Sequence, residues 1–161
     1  MVNTCALPRR RYSGLVPDNA LLAAARFHGH LGPWLVLGLR AGAYARRRLG
    51  GTPFELTARV TCPERPPHTC FLDGVQLSSG CTMGKGNICH VVGDCCRVEF
   101  VRHHSPGRKM ARTPGRPAAR LALELQPDVW QELHRHTGNV ERLAKTLYRR
   151  RFDTLFRVLP P

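Results

Sequence analysis

The sequence has no long apolar run, and this absence limits where the protein can act. Its longest apolar candidates, around Trp34 to Leu39, are far shorter than the ~20 residues that a helix needs to cross a bilayer, so we expect no transmembrane segment. The amino-terminal stretch has Arg9, Arg10 and Arg11 behind a weak apolar segment and no hydrophobic region after them, which is not the order of a secretory signal. A cytoplasmic protein is therefore predicted.

Aromatic residues and lysines are scarce, whereas positive charge is abundant. Aromatics make up 7% of the chain and the formal net charge is +14. Such a charge favours a polyanionic partner, and a basic binding module for nucleic acid or for an acidic partner subunit is one hypothesis. Nearly all of the charge is arginine, as a GC-rich coding sequence would give, and the arginine clusters are not interleaved along the chain with base-stacking aromatics. Both features weaken this hypothesis.

Paired CxxC spacings are absent, although the chain has seven cysteines. In a cytoplasmic protein, an odd number of cysteines without that spacing indicates thiol chemistry or metal ligation, and not a disulfide framework. Cys95 and Cys96 are adjacent, so on a strand they would point to opposite faces and make poor joint ligands. Together with Cys62 and Cys89, they are interpreted as small buried residues or incidental thiols.

The spacing of apolar residues, glycine and proline predicts an α+β fold, with helices packed on a mostly antiparallel sheet in a single domain. Helices are expected over 18–27, 34–49 and 68–78, and strands over 54–61, 88–92, 96–101 and 119–125. The strands on either side of Gly93–Asp94 are predicted to form a hairpin, and the tail is predicted to hold two short helices broken at Gly138. The expected organisation is a flexible arm (1–16), a core domain (17–126) and a helical extension (127–161).

The segment FHGHLGP, residues 27–33, places two histidines on either side of a glycine in the turn that leads into a helix. Such a turn can aim the imidazoles of His28 and His30 into one space, and imidazole binds zinc, iron, nickel or copper. Alternatively, one histidine caps the helix and the other is a surface residue. The short motif alone does not decide between these interpretations.

A second segment, CFLDGVQLSSGCTMGKGN, follows a proline-rich loop and contains thiols, a carboxylate and a lysine. Cys70 is expected to begin a helix, where free N–H groups would lower the pKa of its thiol, and Cys81 follows that helix in a glycine-rich loop. Asp73 and Gln76 share a helix face with Cys70. Lys85 stands between two glycines, where it could stabilise a thiolate or bind an anionic substrate. The spacing is one residue short of a phosphate-binding P-loop.

The two segments together resemble the core of the FmdE family, which is named after the enzyme formylmethanofuran dehydrogenase. The resemblance rests on FHGHLGPWLVLGLRAG and PPHTCFLDGVQLSSGCTMGKGNI and covers about residues 18–101. It implies an α+β domain, often homodimeric, whose histidines and cysteines surround a cleft that can hold zinc or another transition metal. A partner enzyme subunit is a further expectation, and the small-molecule substrate is left unnamed.

The resemblance also implies roles for individual residues. The expected metal ligands are His30, Cys70 and Cys81, with His28 as a fourth candidate. The residues expected around them, to bind substrate or support the ligands, are Asp73, Gln76, Thr82 and Asn87. The candidates for catalysis are Cys70, Cys81 and Lys85.

Two departures from the family pattern sharpen these expectations. Gly32 stands where many members have a cysteine, and Trp34 replaces a glycine. The missing thiol makes metal binding a better hypothesis than dithiol redox chemistry. The chain also lacks the paired cysteines of the carboxy-terminal zinc finger that some members carry.

The leading hypothesis is therefore an FmdE-family metal-binding protein, acting as an accessory factor or small enzyme in one-carbon, formylmethanofuran-type or metal-cofactor metabolism, with zinc as the first choice of metal. Three nitrogen or sulfur ligands would leave an open position, as catalytic sites do. A metal-independent thiol enzyme using Cys70 or Cys81 is one alternative. The basic binding module is another, and a zinc with a purely structural role is the alternative for the site itself.

Overall fold

A computed structural model describes residues 18–103 and 117–160, so the predicted amino-terminal arm lies outside the described residues. Six α-helices lie in this part of the chain: α1 (Asp18–His28), α2 (Pro33–Leu49), α3 (Cys70–Ser79), α4 (Pro127–Arg135), α5 (Val140–Arg149) and α6 (Phe152–Leu155). Its five strands are β1 (Leu56–Cys62), β2 (Ile88–Val92), β3 (Arg97–His103), β4 (Pro117–Leu125) and β5 (Phe156–Leu159). The helices pack on a mostly antiparallel sheet, which confirms the α+β prediction.

The sheet has the strand order β2-β1-β3-β4-β5, and only β1 and β2 pair in parallel. The predicted hairpin of β2 with β3 is therefore wrong, because β1 lies between these two strands. The chain leaves β1, passes through α3 and returns in parallel as β2, since a parallel pair needs such a crossover. The segment 93–96 then crosses the end of β1, where the Gly93 N–H donates to the Cys62 carbonyl at 3.2 Å.

Helices α2 and α3 touch backbone to backbone, and this contact places α3 beside the turn that precedes α2. A Cβ atom on Gly38 of α2 would lie only 2.9 Å from the Cα of Gly74 in α3 and would collide with the Phe71 carbonyl oxygen. A Cβ on Gly74 would collide in turn with the Leu35 carbonyl oxygen. Glycine is required at both positions because no side chain fits between the helices.

One face of the sheet and the inner faces of the helices form the core. Leu56, Ala58 and Val60 alternate along β1 with less buried residues, as a strand with one buried face requires. The two tail helices predicted around Gly138 are confirmed as α4 and α5, whereas α6 and β5 were not predicted. Because Leu147 of α5 is fully buried in the same core, the carboxy-terminal elements share it. The proposed division of the chain at residue 126 stays a prediction.

None of the helices in the described ranges combines the length and the apolar character needed to cross a membrane.

Candidate functional site

The turn between α1 and α2 brings the two predicted histidines together. Helix α1 ends at His28, and Gly29 reverses the chain with a φ of +92° while its N–H donates to the Ala25 carbonyl at 2.8 Å. That φ favours glycine, because a side chain is strained there. Pro33 then begins α2. The imidazole centroids of His28 and His30 consequently lie 4.8 Å apart.

His28 is oriented by a carboxylate from α3. Its Nδ1 lies 2.7 Å from Oδ2 of Asp73, and only 11% of the His28 side chain is exposed. Since an ionised carboxylate only accepts hydrogen bonds, Nδ1 of His28 carries a proton and donates to Asp73. The Nε2 of the same ring is buried and has no hydrogen-bond partner. A buried nitrogen without a partner is rare and indicates a place for a ligand, a proton or a metal ion.

Gln76 links this pair to the glycine-rich loop after α3. Its amide Nε2 donates to Oδ1 of Asp73 over a long 3.4 Å, and its Oε1 accepts from the Met83 N–H at 3.0 Å. Asp73 and Gln76 lie on one face of α3, as their spacing predicted. The turn, the helix and the loop are thus connected through side chains at the candidate site.

Cys70 is the first residue of α3 and is half-buried. Burial raises the pKa of its thiol, the charge of Asp73 raises it further, and a backbone hydrogen bond at Cys70 itself only partly opposes them. The prediction that the helix start lowers the pKa of Cys70 is therefore wrong. Removal from water and a neighbouring negative charge both disfavour the thiolate, and they outweigh the helix N–H groups.

Cys81 lies at the other end of α3. The ten residues of α3 span about 14 Å at the usual rise of 1.5 Å per residue, so Cys70 and Cys81 flank opposite helix ends. Cys81 is fully buried, and burial raises the pKa of its thiol against the opposing effects of Ser79 and Lys85. The structure thus does not gather His28, Cys70 and Cys81 around one point. Across residues 18–103 and 117–160, no three His, Cys, Asp or Glu side chains form a group able to hold a metal ion.

The family described as "FmdE, Molybdenum formylmethanofuran dehydrogenase operon" matches residues 27–157, which include the histidine turn, α3 and most of the carboxy-terminal elements. The chain belongs to the FmdE family. It is also 33% identical over 78 residues to a protein of Archaeoglobus fulgidus named "Probable S-adenosyl-L-methionine-binding protein". That alignment covers 44% of this chain and 20% of the relative, so the chain spans about a fifth of the relative's length.

The glycine-rich loop of the FmdE motif folds onto the start of β1 through Asn87. Its Oδ1 accepts from the Thr82 N–H at 2.8 Å, and its Nδ2 donates to the carbonyls of Pro53 and Leu56 at 2.8 and 2.9 Å. The Thr82 hydroxyl accepts in turn from Nζ of the exposed Lys85 at 2.9 Å. These predicted site residues hold the loop together through these hydrogen bonds.

An open cleft of about 640 Å³ lies beside the FmdE histidine turn. Helix α1 and the turn supply Leu21, Leu31 and His30 to its wall, and α5 supplies Lys145 and Tyr148. This volume lies within the range of small-molecule sites. The sequence patterns did not assign α5 to the site, because its contact with α1 joins segments more than 100 residues apart.

A histidine and tryptophan cluster near Trp34 was also missed from the sequence. Nε2 of His68 lies 3.0 Å from Nε2 of His134, and Nδ1 of His134 donates to the Trp130 carbonyl at 2.7 Å. The Trp34 ring packs against His68 and Trp130, with centroids 4.8 and 5.4 Å away. Burial lowers the pKa of His68. Trp34, which departs from the FmdE pattern, thus packs against α4. The i, i+4 spacing of Trp130 and His134 was the sequence signal that could have indicated this cluster.

Proposed function

We propose that this FmdE-family protein is an accessory factor or small enzyme of one-carbon metabolism linked to formylmethanofuran dehydrogenase, and that His28 is a ligand of a transition metal, with zinc as the first candidate. One observation carries the proposal. Nε2 of His28 is buried without a partner, while its Nδ1 is held at 2.7 Å by Asp73. Metal-binding histidines usually donate their second N–H to a carboxylate or carbonyl in this way, which fixes the ring and makes it a better ligand.

The proposal relies on the types of donor atom near His28, and not on a complete set of ligands already gathered around one point among the described residues. His30 adds a second imidazole at 4.8 Å between ring centroids, and Cys70 starts the helix that carries Asp73. Nitrogen and sulfur donors suit zinc and other late transition metals. When bound, the metal would supply Lewis acidity to a substrate. Within the protein, Asp73 keeps the proton on Nδ1 of His28, and Gln76 helps to orient Asp73.

His30 connects this centre to the cleft. It packs against His28 on one side and lines the cleft on the other, so a small molecule in the cleft would lie next to the histidine turn. Apolar residues of α1 exclude water from one wall of the cleft, and the charged residues of α5 can orient a polar substrate. A small-molecule substrate of this centre is thus part of the proposal.

A metal-independent thiol enzyme receives less support from the geometry. Such an enzyme needs a thiolate at neutral pH, and the pKa values of Cys70 and Cys81 are both raised. Cys81 is in addition fully buried, so a substrate has no access to it.

Metal analysis of protein purified without oxygen tests the proposal. The wild type is expected to hold metal, His28→Ala to lose it, and Asp73→Asn to weaken its binding by about 10–100-fold, as the loss of a supporting carboxylate does. Cys70→Ser is expected to lower the metal content, and Cys89→Ser is its matched control, because Cys89 is an exposed cysteine on β2. Wild-type protein without metal, or His28→Ala protein that keeps its metal, would contradict the proposal.

A second candidate function rests on the cleft and on the relative named for S-adenosyl-L-methionine binding. The Glu141–Lys145 ion pair, 2.6 Å long, presents one charge of each sign on the cleft wall. Such a pair can bind the amino and carboxylate groups of an amino acid, while Leu21 and Leu31 contact an apolar body. The cleft volume suits a molecule of this size.

Calorimetric titration with S-adenosyl-L-methionine tests this second candidate. Binding is expected for the wild type and should be lost when Glu141 and Lys145 are both changed to glutamine. Arg142→Gln is the control, because Arg142 is exposed on the same helix and does not line the cleft. Absence of binding in the wild type, or binding that survives the double change, would exclude this function.

The assembly state belongs to the proposal as well. An accessory factor acts with an enzyme, so we propose a homodimer of this chain, a partner enzyme subunit and a cytoplasmic location. Sedimentation of the purified protein measures the dimer directly, and a monomer at micromolar concentration would contradict it.

A further inference from the structure

One face of α2 alternates arginine with aromatic side chains and has no part in the proposed metal centre. Arg40, Tyr44, Arg47 and Arg48 occupy positions i, i+4, i+7 and i+8 of the helix. The Tyr44 ring stacks on Phe152 of α6, with centroids 3.8 Å apart and planes 6° from parallel. The guanidinium carbons of Arg47 and Arg48 lie 5.4 and 6.0 Å from the Tyr44 centroid. We call these five residues the arginine face.

The positive charge of this face is not balanced by nearby carboxylates. Helix α2 has four arginines and no acidic residue. No ion pair in the part of the chain that the structure describes joins Arg40, Arg47 or Arg48 to a carboxylate. Burial lowers the pKa of Arg40, Tyr148 opposes this effect, and the nearby charge of Arg47 adds a smaller lowering, so the two guanidinium groups repel each other. An anionic partner would relieve this repulsion.

Stabilisation of the carboxy-terminal end of α2 does not account for all of these arginines. Basic residues in the last turn do stabilise a helix through its dipole. Arg46 meets this need directly, because its guanidinium donates to the Gly51 carbonyl at 2.7 Å. Arg47 and Arg48 are exposed and lie over an aromatic ring instead. Their guanidinium groups therefore keep both N–H edges and an outer face available to a partner.

The chemistry of this face fits a single-stranded nucleic acid better than an acidic protein. A guanidinium donates to phosphate with its edge and stacks on a base with its face, and aromatic rings among arginines are typical of surfaces that bind single strands. Tyr44 lies among the arginines of α2 itself, and Phe152 brings a second aromatic ring to them from a distant segment. We propose that the arginine face binds single-stranded nucleic acid, with Arg47 and Arg48 contacting phosphates and bases.

Fluorescence anisotropy with a labelled oligothymidylate and a labelled oligouridylate tests this proposal. The wild-type protein is expected to bind at low salt, with an affinity that falls steeply between about 50 and 200 mM salt. Changing Arg47 and Arg48 together to glutamate should weaken binding by about tenfold or more and should reduce the slope of log affinity against log salt by about 1.4, at ~0.7 per phosphate contact.

The matched control changes Arg59 and Arg120 together to glutamate. Both are exposed, and both lie on sheet strands at positions that alternate with the core-facing residues. This control alters the net charge equally and should change the affinity only slightly. Far-ultraviolet circular dichroism and thermal unfolding of each variant verify the fold. Equal weakening in both variants, no binding by the wild type at low salt, or equally tight binding of polyglutamate would each overturn the proposal.

Discussion

The two ends of α3 each carry a cysteine and a polar cluster, yet they differ in how their polar groups are paired. At the amino-terminal end, Asp73 holds His28, whose Nε2 is buried without a partner. At the carboxy-terminal end, Asn87 makes three hydrogen bonds to the backbone and Cys81 is fully buried. A buried polar atom is thus left without a partner at the first end, whereas the side-chain amide of Asn87 is fully paired at the second end.

This difference teaches that residues of one motif need not share one task. An unpaired buried nitrogen costs about 1–3 kcal/mol in stability, and a ligand bound to it would remove this cost. Paired groups such as those of Asn87 carry no such cost, and they stabilise the fold directly. Substitutions at the two ends should therefore separate activity from stability.

We expect the largest effect from Gly74→Ala, because this change disrupts the backbone contact with α2 that positions both ends of α3. The new methyl group would collide with the Leu35 carbonyl and lie 2.8 Å from the Cα of Gly38, and backbone atoms cannot move aside. We expect a loss of about 3 kcal/mol or more in the free energy of unfolding, by overpacking. At ~2–4 °C per kcal/mol, the melting temperature should fall by about 6–12 °C.

Gly84→Ala is the control for this experiment, because a Cβ at that position meets nothing within 4 Å. Thermal unfolding of both variants gives the comparison. Equal stability of the two variants would show that α2 and α3 are not held backbone to backbone.

Asn87→Ala should destabilise the loop at the carboxy-terminal end of α3 and leave the His28–Asp73 pair at the amino-terminal end unchanged. Loss of three hydrogen bonds is expected to cost about 1.5–4.5 kcal/mol, at ~0.5–1.5 kcal/mol each. Metal content should change little in the folded fraction. Denaturant unfolding measures the stability, with Asn139→Ala as the reference for an exposed helix cap, which costs about 1 kcal/mol. If Asn87→Ala loses no more unfolding free energy than Asn139→Ala, the hydrogen bonds of Asn87 do not stabilise the fold as described.

The cysteines at the two ends should differ in their rate of alkylation. We expect iodoacetamide at neutral pH to modify exposed Cys89 fastest, half-buried Cys70 more slowly and buried Cys81 slowest. Because the pKa of Cys70 is raised above its usual 9.0, its rate should still be rising with pH beyond that value. Mass spectrometry of the labelled peptides gives the three rates. Labelling of Cys81 at the rate of Cys89 would contradict its burial.

In the metal-free protein, the smallest effect that we expect is a change in the reactivity of the Cys70 thiol when Asp73 is replaced by asparagine. After burial, the Asp73 carboxylate is the second cause that raises the pKa of Cys70, so its removal should lower that pKa. A lower pKa means more thiolate at neutral pH and alkylation that is a few-fold faster. The pH profile of labelling measures this, with Asp153→Asn as the control at an exposed aspartate. If the pH profile of Cys70 labelling does not change in Asp73→Asn, the Asp73 charge does not affect the pKa of this thiol.

Local patterns were sufficient to predict much of the fold. The turn at Gly29, the start of α2 at Pro33 and the helix that begins at Cys70 follow from glycine, proline and helical spacing. The strand pairing was not predictable in the same way, because β1 inserts between β2 and β3 through contacts distant in sequence. The α5 wall of the cleft was missed for the same physical reason.

One error in the site prediction could have been avoided from the sequence alone. The resemblance suggested that Cys70 and Cys81 join one metal site, whereas a ten-residue helix between them already separates its ends by about 14 Å. The pairing of His28 with Asp73 could not be inferred, since 45 residues separate them. The direction of the Cys70 pKa shift depended on burial, which spacing does not reveal.

The glycine contact between α2 and α3 has a consequence for redesign. Because the main chain, and not a hydrogen-bonding side chain, sets the spacing of α3 from the histidine turn, the backbone separation of positions 28 and 73 should not depend on the side chains that stand there. Other pairs of polar side chains can therefore be compared at these two positions on one unchanged scaffold.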